Sequence, residues 1–290
     1  MTTRTTIEQD WTRRRNTRRL ATLGYLIAIA ICLIVSALVS EAYPAALWAG
    51  LPRVGEYFGK ITPTLHWATL FGSTSTKGAL AYWFYRVDSW AWLFFETTQM
   101  AALATLGGSV LGLVLCFPAA RNLAPNRWVY VLMRRGLELF RTVPDIVYAL
   151  ILVWAFGVGP LAGILAIAAH TTGATGKLFA EAVENADMRP WDGVRSAGGS
   201  WMQAVRFAIL PQVMPNFLSY VLLRFEVNVR GAAVIGFVGA GGIGQELYQV
   251  ISLNYYEEIS AIVVMMIVVI AAIDLLSEQL RSYAIGRISA

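Results

Sequence analysis

Residues Leu20 to Ser40 run without a charged side chain, and so do Thr97 to Ala120.

 No other feature constrains folding as strongly, because about 20 apolar residues in a helix cross a hydrocarbon core of roughly 30 Å. In lipid every backbone N–H and C=O needs an internal partner, so segments of this kind fold as helices. Val143 to Gly176 adds a stretch interrupted only by Asp145 and His170, and Ala261 to Ile273 is wholly apolar. Charged residues make up 14% of the 290-residue chain, against roughly 25% in a soluble domain. A very apolar soluble helical protein is the weaker reading.

The pattern predicts an all-α membrane protein with six transmembrane helices, near 20–40, 92–118, 143–157, 160–179, 214–237 and 259–277. Gly157-Val158-Gly159-Pro160 reads as a tight turn between the third and fourth. Arg4, Arg13, Arg14, Arg15, Arg18 and Arg19 precede the first span. Arg121, Arg127, Arg134, Arg135 and Arg141 fill the loop 119–142, and Arg281 and Arg287 follow the last span. Loop 241–258 instead carries Glu246, Glu257 and Glu258 and no basic residue. Basic loops stay in the cytoplasm, which places both termini there. Arg53, Lys60, Lys77 and Arg86 in the outer segment 41–89 run against this rule, which long loops obey weakly. The net charge of +5 thus reports topology and lipid contact, not nucleic-acid binding. The first apolar run exceeds the roughly 7–15 residues of a cleaved signal core, so an uncleaved span is expected. Cys32 and Cys116 fall inside spans as packing residues. With only His66 and His170 besides, no disulfide or metal framework is expected.

Three regions follow: a basic arm at 1–19, a first span with an outer segment at 20–89, and a membrane domain at 90–290. In the outer segment, "LPRVGEYFGKI" and "YWFYRVDSWAW" set aromatics beside charges, as in helices lying at a membrane interface. The membrane domain is broken by a polar cytoplasmic segment, 181–213. There Pro190 suits the first turn of a helix, with Asp192 near its positive end. Gly198-Gly199 stop that helix. Ser200 and Gln203 fit a capping box for a second helix, whose apolar face is Trp201, Ala204, Val205 and Ala208. Pro211 is expected to end it. These two short helices form either a solvated loop packed on the protein's own surface or a docking knob, with Trp201 as anchor.

"RTVPD" (141–145), "HTTGATGKLFAEAVEN" (170–185), "RFEVNVR" (224–230) and "VGAGGIG" (238–244) occur in this order. Together they resemble the permease subunits of phosphonate-type ABC importers, over about 90–280. The polar segment is similar to the coupling loop of ABC importer permeases, with Gly198, Leu210 and Pro211 at the family's spacing. Asp192 stands there for Glu, Gly193 and Val194 for two alanines, and Ala208 for Ile. The resemblance implies a type I importer fold, a five-helix core plus an N-terminal helix, in the bacterial inner membrane. It implies a homodimer with two cytoplasmic ATPase subunits and a periplasmic binding protein. ATP and Mg2+ would belong to those partners and no cofactor to this chain. Asp192, Gly193, Arg195, Gly198, Trp201, Leu210 and Pro211 would couple to the ATPase, and Gly239, Gly241, Gly242 and Gly244 would belong to an outer gate. The implied cargo is a phosphonate, phosphite or phosphate.

Arg224, Glu226, Asn228 and Arg230 in the fifth span are tolerable in a bilayer only facing protein or water. At about 100° per residue, Arg224 and Asn228 share one face, and Glu226 and Arg230 the nearly opposite one. Glu226 and Arg230 form an i,i+4 pair, leaving Arg224 unpaired in its own helix, about 15 Å from the span's start. Arg224 or Arg230 either binds an oxyanion through its planar fork or serves structure alone. His170 is a polar packing contact or an anion contact. Pro144 and Asp145 open the third span.

"GAGGIG" formally matches a dinucleotide fingerprint, but the strand and soluble βαβ unit that motif needs are missing. Glycines at the outer end of a span instead permit close helix approach or an unwound turn. Without a Walker-type loop the chain is not expected to be its own ATPase. Competing readings are a methionine importer, an ion-coupled carrier without an ATPase, and an intramembrane enzyme acting on lipid phosphates. The last lacks a cluster of His, Asp or Ser at one membrane face.

Overall fold

The computed structural model describes residues 2–288 and contains helices and no strand among them. The side chains of Arg4 and Arg287, both used to infer topology, lie outside the described residues. The chain divides into two compact units, 1–60 and 61–290.

In the first unit α1 (Thr2–Val39) joins the basic arm and the first apolar run in one helix. Residues 2–23 contain no Gly or Pro to break it. α2 (Pro44–Ile61) follows, with Pro at its first position and a surface pair between Lys60 and Glu56 at 2.7 Å.

The second unit begins with a short turn, α3 (Leu80–Trp83), and the long α4 (Val87–Ala119). α5 (Arg127–Thr142), α6 (Asp145–Phe156) and α7 (Pro160–Glu184) come next. α8 (Arg189–Ser196) and α9 (Trp201–Ala204) make the polar break. α10 (Leu210–Ile235), α11 (Gly242–Ser252) and α12 (Tyr256–Ile288) complete the chain.

α1, α4 and α12 are both long and apolar enough to cross a bilayer. The third expected span corresponds to α6, which is short, and α5 and α6 meet at 85° as one broken candidate span. α7 and α10 have the length, at about 1.5 Å per residue, but bury polar side chains against their neighbours. Residues 127–142, expected as an arginine-rich loop, fold as a helix. Asn126 caps it by accepting from the Val129 N–H at 2.8 Å. Its Met133 and Leu137 pack inward, and Arg134 pairs with Glu184 at 3.0 Å and Glu181 at 3.5 Å on α7.

α4 and α7 form the central seam. A Cβ at Gly108 would sit 2.6 Å from the Ala168 carbonyl, and one at Gly112 would sit 2.9 Å from the Gly176 nitrogen. Only glycine lets the two backbones come this close, a small-residue contact suited to membrane helices. Across the seam, Asn228 Nδ2 donates to Thr105 Oγ1 at 2.8 Å and Thr171 Oγ1 at 2.9 Å, tying α10 to α4 and α7. Below the seam Phe179 stacks on Phe217, centroids 4.2 Å apart, beside Leu137, Val183 and Ile209. At the other end Trp90, Phe94, Ile243, Leu247 and Ile262 close the core.

Changing Gly112 to Ala overpacks this seam, for which about 1–3 kcal/mol of destabilisation is expected. Gly107, on the same helix, has open space where a Cβ would stand, with nothing within 4 Å. Thermal unfolding in detergent should therefore fall for Gly112→Ala and stay level for Gly107→Ala.

Candidate functional site: polar knob and charged cluster

The polar break is built much as its sequence predicts. Pro190 and Asp192 occupy the first turn of α8, and Gly198, at φ +85°, stops it. The Ser200–Gln203 capping box is present in both directions, at 3.3 and 2.7 Å. Arg195 Nη1 donates to the Gly199 carbonyl at 2.8 Å across the hinge. Asp192, Gly193, Arg195 and Gly198 are all exposed.

Two expectations change. Pro211 does not end the second helix; it lies in the first turn of α10, where a missing N–H is tolerated. A wide turn over Val205–Ile209, in which the Leu210 N–H reaches back to the Val205 carbonyl, carries the chain into it. Trp201 also turns inward: its indole N–H donates to the Leu123 carbonyl at 3.1 Å, and its ring meets Phe117 edge-on. Trp201 therefore fastens the knob to its own chain. The large apolar side chains left exposed are Met202 and Phe207, which no sequence motif singles out. Gln212 closes the base, accepting from the Asp187 N–H at 3.0 Å and donating to the Asp187 carbonyl at 3.1 Å.

On α10 the two arginines have different surroundings. Arg230 contacts Glu226 at 2.7 Å, as the i,i+4 spacing predicts, and Asp274 on α12 at 2.6 Å. Asp274 lies far away in sequence, and helical spacing could not reveal it. Arg224 donates from Nη2 to His170 Nδ1 at 2.9 Å. Arginine has no acceptor, so this imidazole nitrogen carries the lone pair. Arg224 Nε is buried and has no partner among the described residues.

Arg141 and Asp145 are the neighbouring charges of Arg224 and of His170. Gly173 permits this approach, since a Cβ there would lie 2.5 Å from the Arg141 nitrogen. The stretches 141–145, 170–185 and 224–230 thus converge on one half-buried cluster. Asn228, expected on the same face as Arg224, is 3% exposed, and its amide nitrogen donates to both threonines.

The glycine run forms a folded-in loop. Gly239, Gly241 and Gly242 have φ of +86°, +83° and +71°, a region that favours glycine. Gly244 is required by contact instead, because a Cβ would lie 1.8 Å from the Ala233 carbonyl. Gly159 N–H donates to the Gly239 carbonyl at 2.9 Å, and Ile243 N–H to Thr97 Oγ1 at 2.9 Å. Thr97 lies about 15 Å along α4 from Val87, at about 1.5 Å per residue. The loop is accordingly packed among helices and not free at the end of a span. Of the acids in the outer loop, Glu246 is held by Arg86 at 2.8 Å and Glu258 by the Tyr85 hydroxyl at 2.7 Å. Glu257 is exposed.

This fold is that of ABC importer permeases. The inward-facing methionine ABC transporter MetNI superposes with a TM-score of 0.59 at 21% identity, covering 67% of this chain and 95% of that one. A bacterial alginate ABC transporter gives 0.58 at 14%, covering 85% and 95%. The family profile "Binding-protein-dependent transport system inner membrane component" matches residues 108–289, and the chain belongs to that family.

A phosphite transport system permease protein of Stutzerimonas stutzeri is 39% identical over 67% of this chain and 71% of its own length. A putative phosphite transport system permease of the same organism is 39% identical, over 64% of this chain and 66% of its own length. A phosphate-import permease protein of Mycolicibacterium smegmatis is 38% identical over 64% of this chain and 35% of its own length. Alignment with these relatives thus covers from about a third to about seven tenths of their length.

Arg224→Met should lower transport about ten- to a hundredfold, matching the roughly 1.5–3 kcal/mol of a hydrogen bond to a charged group. Arg230→Met should chiefly lower the unfolding temperature, because it leaves Glu226 and Asp274 without their cation. Transport assays and thermal unfolding of both variants separate the two roles.

Proposed function

We propose that this chain is the membrane subunit of an ATP-driven importer for phosphonate or a related phosphorus oxyanion, phosphite or phosphate. The observation that carries the reading is Arg224, a half-buried guanidinium whose only described polar partner is a histidine and whose Nε is unoccupied. Such a fork matches two oxygens of a tetrahedral oxyanion. Arg230, doubly neutralised, serves structure. The names of the relatives support the same cargo class.

In this reading α7 and α10 complete six spans, with both termini in the cytoplasm of a bacterial inner membrane. The chain pairs with a second copy, two ATPase subunits and a periplasmic binding protein. ATP and Mg2+ sit on the ATPase subunits, and the permease itself does no chemistry. The knob at 189–207, with Met202 and Phe207 outward, docks on the ATPase. Closure of the ATPase pair is passed through it to α7 and α10, and the glycine loop acts as the outer gate. An ion-coupled carrier would instead be indifferent to disruption of 192–210.

ATPase activity of the reconstituted complex should rise with the binding protein loaded with phosphonate, phosphite or phosphate. Stimulation by methionine alone would replace the cargo assignment with that of a methionine importer. Phe207→Ala should weaken co-purification of the ATPase subunit while leaving unfolding of the permease unchanged.

A further inference from the structure

α5 has two apolar faces, and only one is used inside the fold. Met133 and Leu137 pack inward, while Trp128, Leu132 and Leu139 are 84%, 68% and 66% exposed. At about 100° per residue these three lie within about 40° of one another, a stripe along the helix. α6, wholly apolar after Asp145, leaves α5 at 85°. Where α6 enters the bilayer, α5 must therefore lie along the membrane's cytoplasmic boundary. Trp at one end of its outward stripe fits that depth.

Beside the stripe is a cavity of about 640 Å³ lined by Arg121, Ala124, Asn126, Arg127, Tyr130 and Val131. The three α5 residues around the mouth, Arg127, Tyr130 and Val131, are rotated from the stripe toward one side of the helix. Of the other arginines on α5, two are held in ion pairs among the described residues and the third, Arg141, stands at the far end of the helix. Arg134 pairs with Glu181 and Glu184, Arg135 pairs with Glu138, and Arg141 lies at His170. The guanidinium groups of Arg121 and Arg127 form no ion pair there and face an open, polar space.

We propose that this cavity binds the phosphate headgroup of an anionic phospholipid of the cytoplasmic leaflet, such as phosphatidylglycerol. The two arginine forks take the phosphate oxygens, the Tyr130 hydroxyl adds a donor, and the acyl chains lie along Trp128 and Leu132. A free phosphate would use the arginines but would leave the stripe bare. The proposal rests on the chain being embedded in a membrane and is independent of its cargo, so a wrong cargo leaves it intact.

Native mass spectrometry of the purified full-length chain in detergent tests it, with phosphatidylglycerol and phosphatidylcholine of matched acyl chains as probes. The chain should retain phosphatidylglycerol in preference, and Arg121→Gln/Arg127→Gln should weaken retention about thirtyfold, given two cations at an anionic surface. Arg135→Gln, which removes a charge from the same helix but not from the cavity, should retain the lipid. Arg127→Gln alone provides an intermediate loss should the double variant unfold. Equal retention of both lipids, or undiminished retention by the variants, would overturn the proposal. So would inorganic phosphate binding as tightly as the lipid. Loss of the lipid on assembly with the ATPase subunit would assign the cavity to that partner instead.

Discussion

The close approach of α4 and α7 at Gly108 and Gly112 is the contact on which the rest depends. In a bilayer there is no hydrophobic gain from bringing two apolar helices together, so packing and polar contacts must hold them. The absent side chains let Thr105 and Thr171 come within reach of a single asparagine, which draws in α10. Thr171 directly follows His170 in the chain. The seam that fixes one therefore sets the azimuth of the other and aims the imidazole at Arg224.

Charge placement on α10 follows from the same geometry. The two faces of α10 meet different neighbours: α12 brings a carboxylate to Arg230, and α7 brings only an imidazole to Arg224. A cation beside a neutral ring, with Asp145 nearby but not in an ion pair, keeps part of its hydrogen-bonding capacity unspent. In low dielectric such a group attracts an anion more strongly than it would in water. The identity of the neighbour, not the presence of arginine, separates a structural charge from one available to a ligand.

Much of this is legible in the sequence because the signals are local. The apolar runs give α1, α4 and α12, the Ser200–Gln203 spacing gives the capping box, and Gly198 gives the end of α8. Helical spacing gives the Glu226–Arg230 pair and puts Arg224 and Asn228 on one face. Long-range contacts cannot be read in the same way. Trp201 has the composition of a partner anchor, and only the position of the Leu123 carbonyl shows that it turns inward. Asp274 is apolar-flanked, with no nearby cation in sequence. α5 is hidden by its arginines, whose bearing on topology masks the period of Trp128, Leu132 and Leu139. Pro211 reads as a stop because the wide turn before it has no strong sequence signature.

The reciprocal hydrogen bonds of Gln212 with Asp187 have a mechanical meaning. They pin the start of α10 to the end of α7, so the knob between them is a closed buckle and not a slack strap. A force applied to it would reach both helices at once. Because Arg224 and His170 ride on those same two helices, their contact would pass through such a motion unsheared. The charged cluster would be carried from one side of the barrier to the other with its geometry preserved.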